Sequence, residues 1–146
     1  MSHSPPPKSA KQLCKVEKVT KSTVRSVRIA HATLFPTNAS VNRKSFFKRI
    51  QQGDDETVAF LARSSTNGAV MGVCSTQRSQ KTEGPATVYI LTLGVFSKYR
   101  RLGVGSKLVR QLVDTFRGTA QTLQLHVEKT NEIALSFYAA RGFVVR

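Results

Sequence analysis

At 146 residues, 40% of them hydrophobic, the chain is long enough for one domain with a buried core, and its composition excludes a disordered or fibrous protein. Its 23 Lys and Arg against 8 Asp and Glu leave a net charge of +15. That charge favours polyanionic neighbours such as RNA, ribosomes, anionic lipid or acidic protein, without naming any chemistry. The basic excess is uneven, since residues 1–50 carry Glu17 as their only acid.

No apolar run approaches the ~20 residues of a bilayer span, and the polar, Pro-rich start has no secretory core. Cys14 and Cys74 have neither metal nor redox spacing, so free thiols and a cytoplasmic or nuclear setting are expected.

Residues 1–11 read as a disordered basic tail ahead of a single domain at 12–146. Gln12–Val19 alternates as a first strand. Thr20 or Ser22 is positioned to cap a helix on which Val24, Val27, Ala30 and Leu34 share a face. Phe35-Pro36 ends that helix. A basic helix is expected over Asn42–Gln52, with Phe46, Phe47 and Ile50 inward. Thr57–Arg63 and Ala69–Gln77 form a hairpin turning at Asn67-Gly68.

Arg78–Pro85 is a polar loop, and Thr87–Phe96 is a central strand. The next helix carries the stripe Leu108, Val109, Leu112, Val113 and Phe116 and stops at Gly118. Thr122–Glu128 is a strand, Asn131–Gly142 a short helix capped by Asn131, and Phe143–Arg146 the start of a final strand. The order β-α-α-β-β-β-α-β-α-β makes a mixed sheet with helices on both faces, in the α/β (α+β) class.

The stretch Tyr99–Val109, "YRRLGVGSKLV", places two arginines and two glycines before a helix. Its residues fit neither the P-loop order of Gly-Lys-Ser/Thr nor the three-glycine dinucleotide fingerprint. A glycine-rich strand-to-helix turn still offers unpaired N–H groups and the positive end of a helix dipole to a pyrophosphate. Arg100, Arg101 and Ser106 add charge and a hydroxyl. Tight packing alone would also explain the glycines.

Taken with "YILTLGVF" before it and "NEIALSFYAARGF" after it, the motif Arg100-x-x-Gly103-x-Gly105 resembles the GNAT superfamily of N-acetyltransferases. Within it, "YILTLGVFSKYRRLGVGSKL", "LHVEKTNEIALSFYAARGF" and the "LFP" at Leu34–Pro36 are similar to the NatE-type N-terminal α-acetyltransferases. The resemblance implies a GNAT fold with a mostly antiparallel sheet, acetyl-CoA as cosubstrate and no metal. It implies that Leu93, Gly94, Val95, Arg100, Arg101, Leu102, Gly103, Val104, Gly105 and Ser106 hold the cosubstrate, with Asn131 and Tyr138 beside its arm. It implies catalysis by Tyr89 and His126 through a water, and an acceptor slot lined by Phe35, Pro36 and Thr37 with Leu91 opposite. An imidazole suits the taking of a proton from a peptide amine, whose pKa is roughly 7.7–8.0, and a phenol suits the orienting of water.

The acceptor implied is the N-terminus of a nascent or mature protein, Met followed by a hydrophobic residue, acetylated by direct transfer in a ternary complex. A lysine ε-amine, or a weakly active CoA-binding role within a larger complex, stays open as an alternative. Auxiliary and catalytic NatA subunits and the ribosome are the implied partners, whereas charge alone does not make a specific nucleic-acid reader. The family's usual tyrosine soon after Phe-Pro is absent, and its usual strand after Gly142-Phe143 is not continued. Either the sequence is cut short there, or the groove is open on that side with a sheet edge free for a partner.

Overall fold

The computed structural model describes residues 13–38, 41–79 and 86–146. The expected tail, residue 12 and part of the polar loop lie outside them. A single five-stranded sheet runs in the order β1-β2-β3-β4-β5. Its strands are β1 (Cys14–Lys18), β2 (Thr57–Ser64), β3 (Val70–Arg78), β4 (Thr87–Val95) and β5 (Thr122–Gln124). The first four pair antiparallel and β5 joins β4 in parallel. Helices α1 (Val24–Leu34) and α2 (Lys44–Gln51) cover one face, α3 (Val104–Phe116) covers the other, and α4 (Glu132–Ala139) follows β5.

Alternation along the strands sorts the core into two layers. Val58, Phe60 and Ala62 point to the α3 side with Leu108 and Leu112, whereas Ala59 and Leu61 point to Val27, Phe46, Phe47 and Ile50 of α1 and α2. Covered on both sides, β2 is buried from Thr57 to Ala62 and reads as a near-continuous apolar run. The hairpin turns as expected, with Asn67 Oδ1 accepting from the Ala69 amide at 3.0 Å.

The structure revises several expectations. Neither Thr20 nor Ser22 caps α1. Their hydroxyls bond each other at 3.0 Å, and the Thr20 carbonyl accepts the Val24 amide. A turn already built from backbone groups leaves those side chains nothing to cap. Val113 is 39% exposed, because the buried stripe of α3 follows the four-residue steps Val104, Leu108, Leu112 and Phe116, with Val109 beside it. Gly118, in the left-handed region at φ +82°, stops that helix as expected.

The Phe143–Arg146 segment forms no strand. Phe143 packs on the core while Val144 and Val145 are exposed. The strand expected over Thr122–Glu128 pairs only to Gln124.

Within β4, Ser75 faces Thr92 and Thr76 faces Ile90, so Leu91 is an extra residue: a β-bulge. Its effect shows in the packing. Ile90 and Leu93 join the α3 layer, while the adjacent Leu91 and Thr92 both turn toward α1.

His31 of α1 is fully buried, and burial holds its pKa below the ordinary value of about 6.5 against the opposing pull of the Val27 carbonyl. An imidazole that is neutral when folded but charges when unfolded destabilises the fold as pH falls below about 6.5, down to its folded pKa. Urea unfolding should therefore show a midpoint that declines from pH 6.5 to 5. The decline should be shallower in His31→Gln than in the native chain.

Candidate active site

The cleft of this protein follows from the short reach of β5. Three residue pairs, Thr87 with Thr122, Val88 with Leu123 and Tyr89 with Gln124, hold β4 to β5. Beyond them the two chains diverge, and a cavity of about 330 Å³ opens between Ile90–Leu93 on one side and Leu125–Glu128 on the other. Phe35 lies along one wall, and Asn131, Ala134 and Tyr138 close the far end. Past Tyr89, β4 has no ladder partner from β5, so backbone groups facing the gap stand ready to bond an extended ligand.

Six of the residues singled out from the sequence line this one cavity: Phe35, Leu91, Leu93, His126, Asn131 and Tyr138. Tyr89 is not among its walls. It sits at the last β4–β5 pair, half-buried, on the sheet face opposite its neighbours Val88 and Ile90. Leu123 and Leu125 pack on the α3 layer, so the same alternation puts His126 on Tyr89's face. Pro36 and Thr37 are exposed and are not among the cavity walls either.

Asn131 has a structural role as well, its Oδ1 accepting from the Ala134 amide at 3.1 Å as the N-cap of α4. The Tyr138 phenol is pushed above its ordinary pKa, first by burial and then by the proximity of Cys74, so it keeps its proton at neutral pH. The fully buried Cys74 thiol is itself pushed up to about 12 by burial.

The glycine-rich turn leads from β4 into α3 beside the cleft. Arg100, Arg101, Leu102 and Gly103 are exposed, and the Arg100 Nε donates to the Val95 carbonyl at 3.3 Å. Gly103 is the N-cap at φ +80°, a backbone shape that glycine adopts without strain, and no side chain caps the helix. The first-turn N–H groups of α3 thus point outward at a positive helix end flanked by two arginines, a donor set that fits a pyrophosphate. Arg101 holds φ +65°, uncommon for a residue with a side chain. Val104 is buried, so only its backbone can serve a ligand there.

Two of the glycines answer to packing. A Cβ on Gly105 would lie 3.1 Å from Phe137 of α4, and a Cβ on Gly94 would lie 2.7 Å from the Phe35 ring. Ser106 Oγ takes hydrogen bonds from the Arg141 guanidinium, which also stacks over Phe137 at 3.7 Å. Arg141 was not legible as part of this surface, because only α4's approach to α3 brings it there. Leu125, Val127 and Ala134 were likewise missed as cavity walls, since "TLQLHVE" alone reads as unbroken strand.

Among the described residues no helix is long and apolar enough to cross a membrane, and no group of three His, Cys, Asp or Glu could hold a metal ion.

The model of the "Acetyltransferase (GNAT) family" matches residues 26–143. N-alpha-acetyltransferase 50 of Danio rerio is 30% identical over 129 residues, covering 87% of this chain and 72% of the fish protein. The probable N-acetyltransferase san of Drosophila melanogaster is 30% identical over 130 residues, covering 87% of this chain and 66% of the fly protein. Arabidopsis thaliana Naa50, solved with the bisubstrate analogue CoA-Ac-MVNAL, superposes with a TM-score of 0.74 at 27% identity, over 91% of this chain and 84% of that one. The aminoglycoside acetyltransferase AAC(6')-Iy reaches the same TM-score at 18% identity, over 90% and 91% of the two chains, which shows the shared fold alone. The chain belongs to the GNAT acetyltransferase family, and it is an N-acetyltransferase whose cosubstrate is acetyl-CoA.

Proposed function

We propose that this chain acetylates the α-amine of protein N-termini in the cytoplasm, preferring Met followed by a hydrophobic residue. The observation that carries the reading is the shared cavity, in which apolar Phe35 and Leu91 stand in the same walls as His126. The 30% identity with N-alpha-acetyltransferase 50 supports it, as does the likeness to Naa50 solved with CoA-Ac-MVNAL.

Acetyl-CoA supplies the activated acetyl thioester. The backbone of Leu93, Gly94 and Val95 pairs with its extended arm, and the turn from Arg100 to Ser106 takes its pyrophosphate, with Asn131 and Tyr138 along the arm. Phe35, Pro36, Thr37 and Leu91 receive the first side chain of the peptide. His126 accepts the amine proton through a water that Tyr89 orients, since imidazole is the side chain suited to proton transfer near neutrality. Tyr138, kept protonated by burial, donates toward the departing sulfur.

Transfer is direct. Among the described residues the cavity walls hold no cysteine or lysine nucleophile, and the Thr92 hydroxyl is committed to His31 and Ser75. Exposed Arg25, Arg28, Arg43, Lys44, Lys48 and Arg49 on and beside α1 and α2 favour a polyanionic ribosome surface near emerging N-termini, with NatA subunits as protein partners.

A peptide with a free Met-Leu start should be acetylated, and the same peptide blocked at its N-terminus but carrying an internal lysine should not. His126→Ala should lower kcat/KM by about 10²–10⁴. Label on the lysine peptide alone would sink the reading. Because a Cβ at Gly94 meets the Phe35 ring at 2.7 Å, Gly94→Ala should displace that ring from the acceptor wall and raise the peptide KM about tenfold. Steady-state kinetics on the Met-Leu peptide checks both variants.

A further inference from the structure

His31 lies outside the cavity walls, yet the geometry ties it to two residues that line the cavity, Thr92 and Phe35. Its Nδ1 is 3.0 Å from the Val27 carbonyl oxygen and its Nε2 is 2.9 Å from Thr92 Oγ1, which in turn is 2.5 Å from Ser75 Oγ. All three side chains are buried. Hydrogen accounting gives this chain one direction. A carbonyl only accepts, so Nδ1 carries the proton and donates to Val27. In the neutral ring Nε2 then accepts, so the Thr92 hydroxyl donates to it and accepts in turn from Ser75. The aromatic neighbours of the ring are Phe35, Phe46 and Phe47 at centroid distances of 5.4, 6.3 and 5.7 Å.

Two residues that this network touches, Thr92 and Phe35, line the cavity. Thr92 is the residue that follows the bulged Leu91, and both line the gap between β4 and β5. Phe35, which ends α1 and packs beside His31 and against Gly94 of β4, lines the same cavity. A bulge relaxes the ladder that would otherwise fix a strand, so its exact path depends on side-chain contacts. Here the contact comes from α1, the helix that also delivers Phe35.

We propose that His31 is a positioning residue for acetyl transfer: it locks the Leu91–Thr92 bulge to the Phe35 end of α1, and so fixes the path of β4 and the place of Phe35 in the cavity where donor and acceptor align. The inference needs only the acetyl transfer already established, and it holds for either acceptor.

The test compares the native chain with Thr92→Val, Thr92→Ser, His31→Leu and the double variant His31→Leu/Thr92→Val. For each, kcat and both KM values are measured with the Met-Leu peptide and the lysine peptide, and melting curves establish folding. Thr92→Val removes the hydroxyl at nearly constant volume, so it carries the test if His31→Leu does not fold. In Thr92→Val, kcat should fall about tenfold or more with both KM values within about twofold, because misalignment acts on the bound complex. Thr92→Ser, which keeps the hydroxyl, should recover kcat to within about threefold of native. The double variant should be no slower than the worse single one, as expected for two residues acting as one unit.

A native kcat in folded Thr92→Val, a loss confined to KM, failure of Thr92→Ser to recover, or additive losses would each overturn the role of His31. A native chain that acetylates the lysine peptide alone sinks the N-terminal acceptor, and the kinetics of His31 and Thr92 are then decided on that peptide. A native chain that acetylates neither overturns both.

Discussion

Everything functional in this chain depends on a ladder that stops early. Neighbouring strands lie about 4.8 Å apart, which leaves no space for a ligand between them. Had β5 followed β4 to Glu128, Leu91 and His126 would sit in adjoining pleats with nothing between. Instead the pairing ends at Tyr89 and Gln124, and one residue pair later the strands have parted. The bulge at Leu91 falls at the same place and strengthens the effect, since a bulged strand bends and twists more than a regular one. The cavity is thus a defect in the sheet, made deliberately where the chain still has two well-packed layers above and below to hold it.

Much of this architecture was legible before any coordinates. The apolar run of β2, the face of α2 with Phe46, Phe47 and Ile50, and the stop of α1 at Phe35-Pro36 obey local rules, and they fold as those rules require. The glycine turn and its helix were also legible, because Gly103 and the stripe of α3 leave few other conformations. What stayed hidden was long-range. Nothing in "TLQLHVE" announces that pairing ends after Gln124, because that end lies where β4 bulges at Leu91, a feature of the neighbouring strand. The same holds for His31, which reads as an ordinary mid-helix residue until β3 and β4 bring Ser75 and Thr92 to it.

Packing and ligand binding are not competing explanations for the glycines. Gly105 is small so that Phe137 can close on α3, and that approach seats α4 with Tyr138 against the cleft. Gly94 is small so that Phe35 can reach across the end of β4. In both cases the missing side chain admits an aromatic ring at the cavity: Phe35 lines it, and Phe137 precedes Tyr138, which does. Gly103 differs, since its constraint is a left-handed turn that sets the start of α3.

Cys74 sits directly across the ladder from Leu93, behind the wall of a site built to handle a thioester. A thiolate in that position would compete with the amine, exchanging its own sulfur for that of coenzyme A and storing the acetyl group where no acceptor could collect it. Only the ionised form attacks, and burial that pushes the thiol up to about 12 keeps it protonated at neutral pH. The hydrophobic layer beneath the cleft therefore has a chemical effect as well as a mechanical one: it keeps the protein's own sulfur silent beside the sulfur it must read.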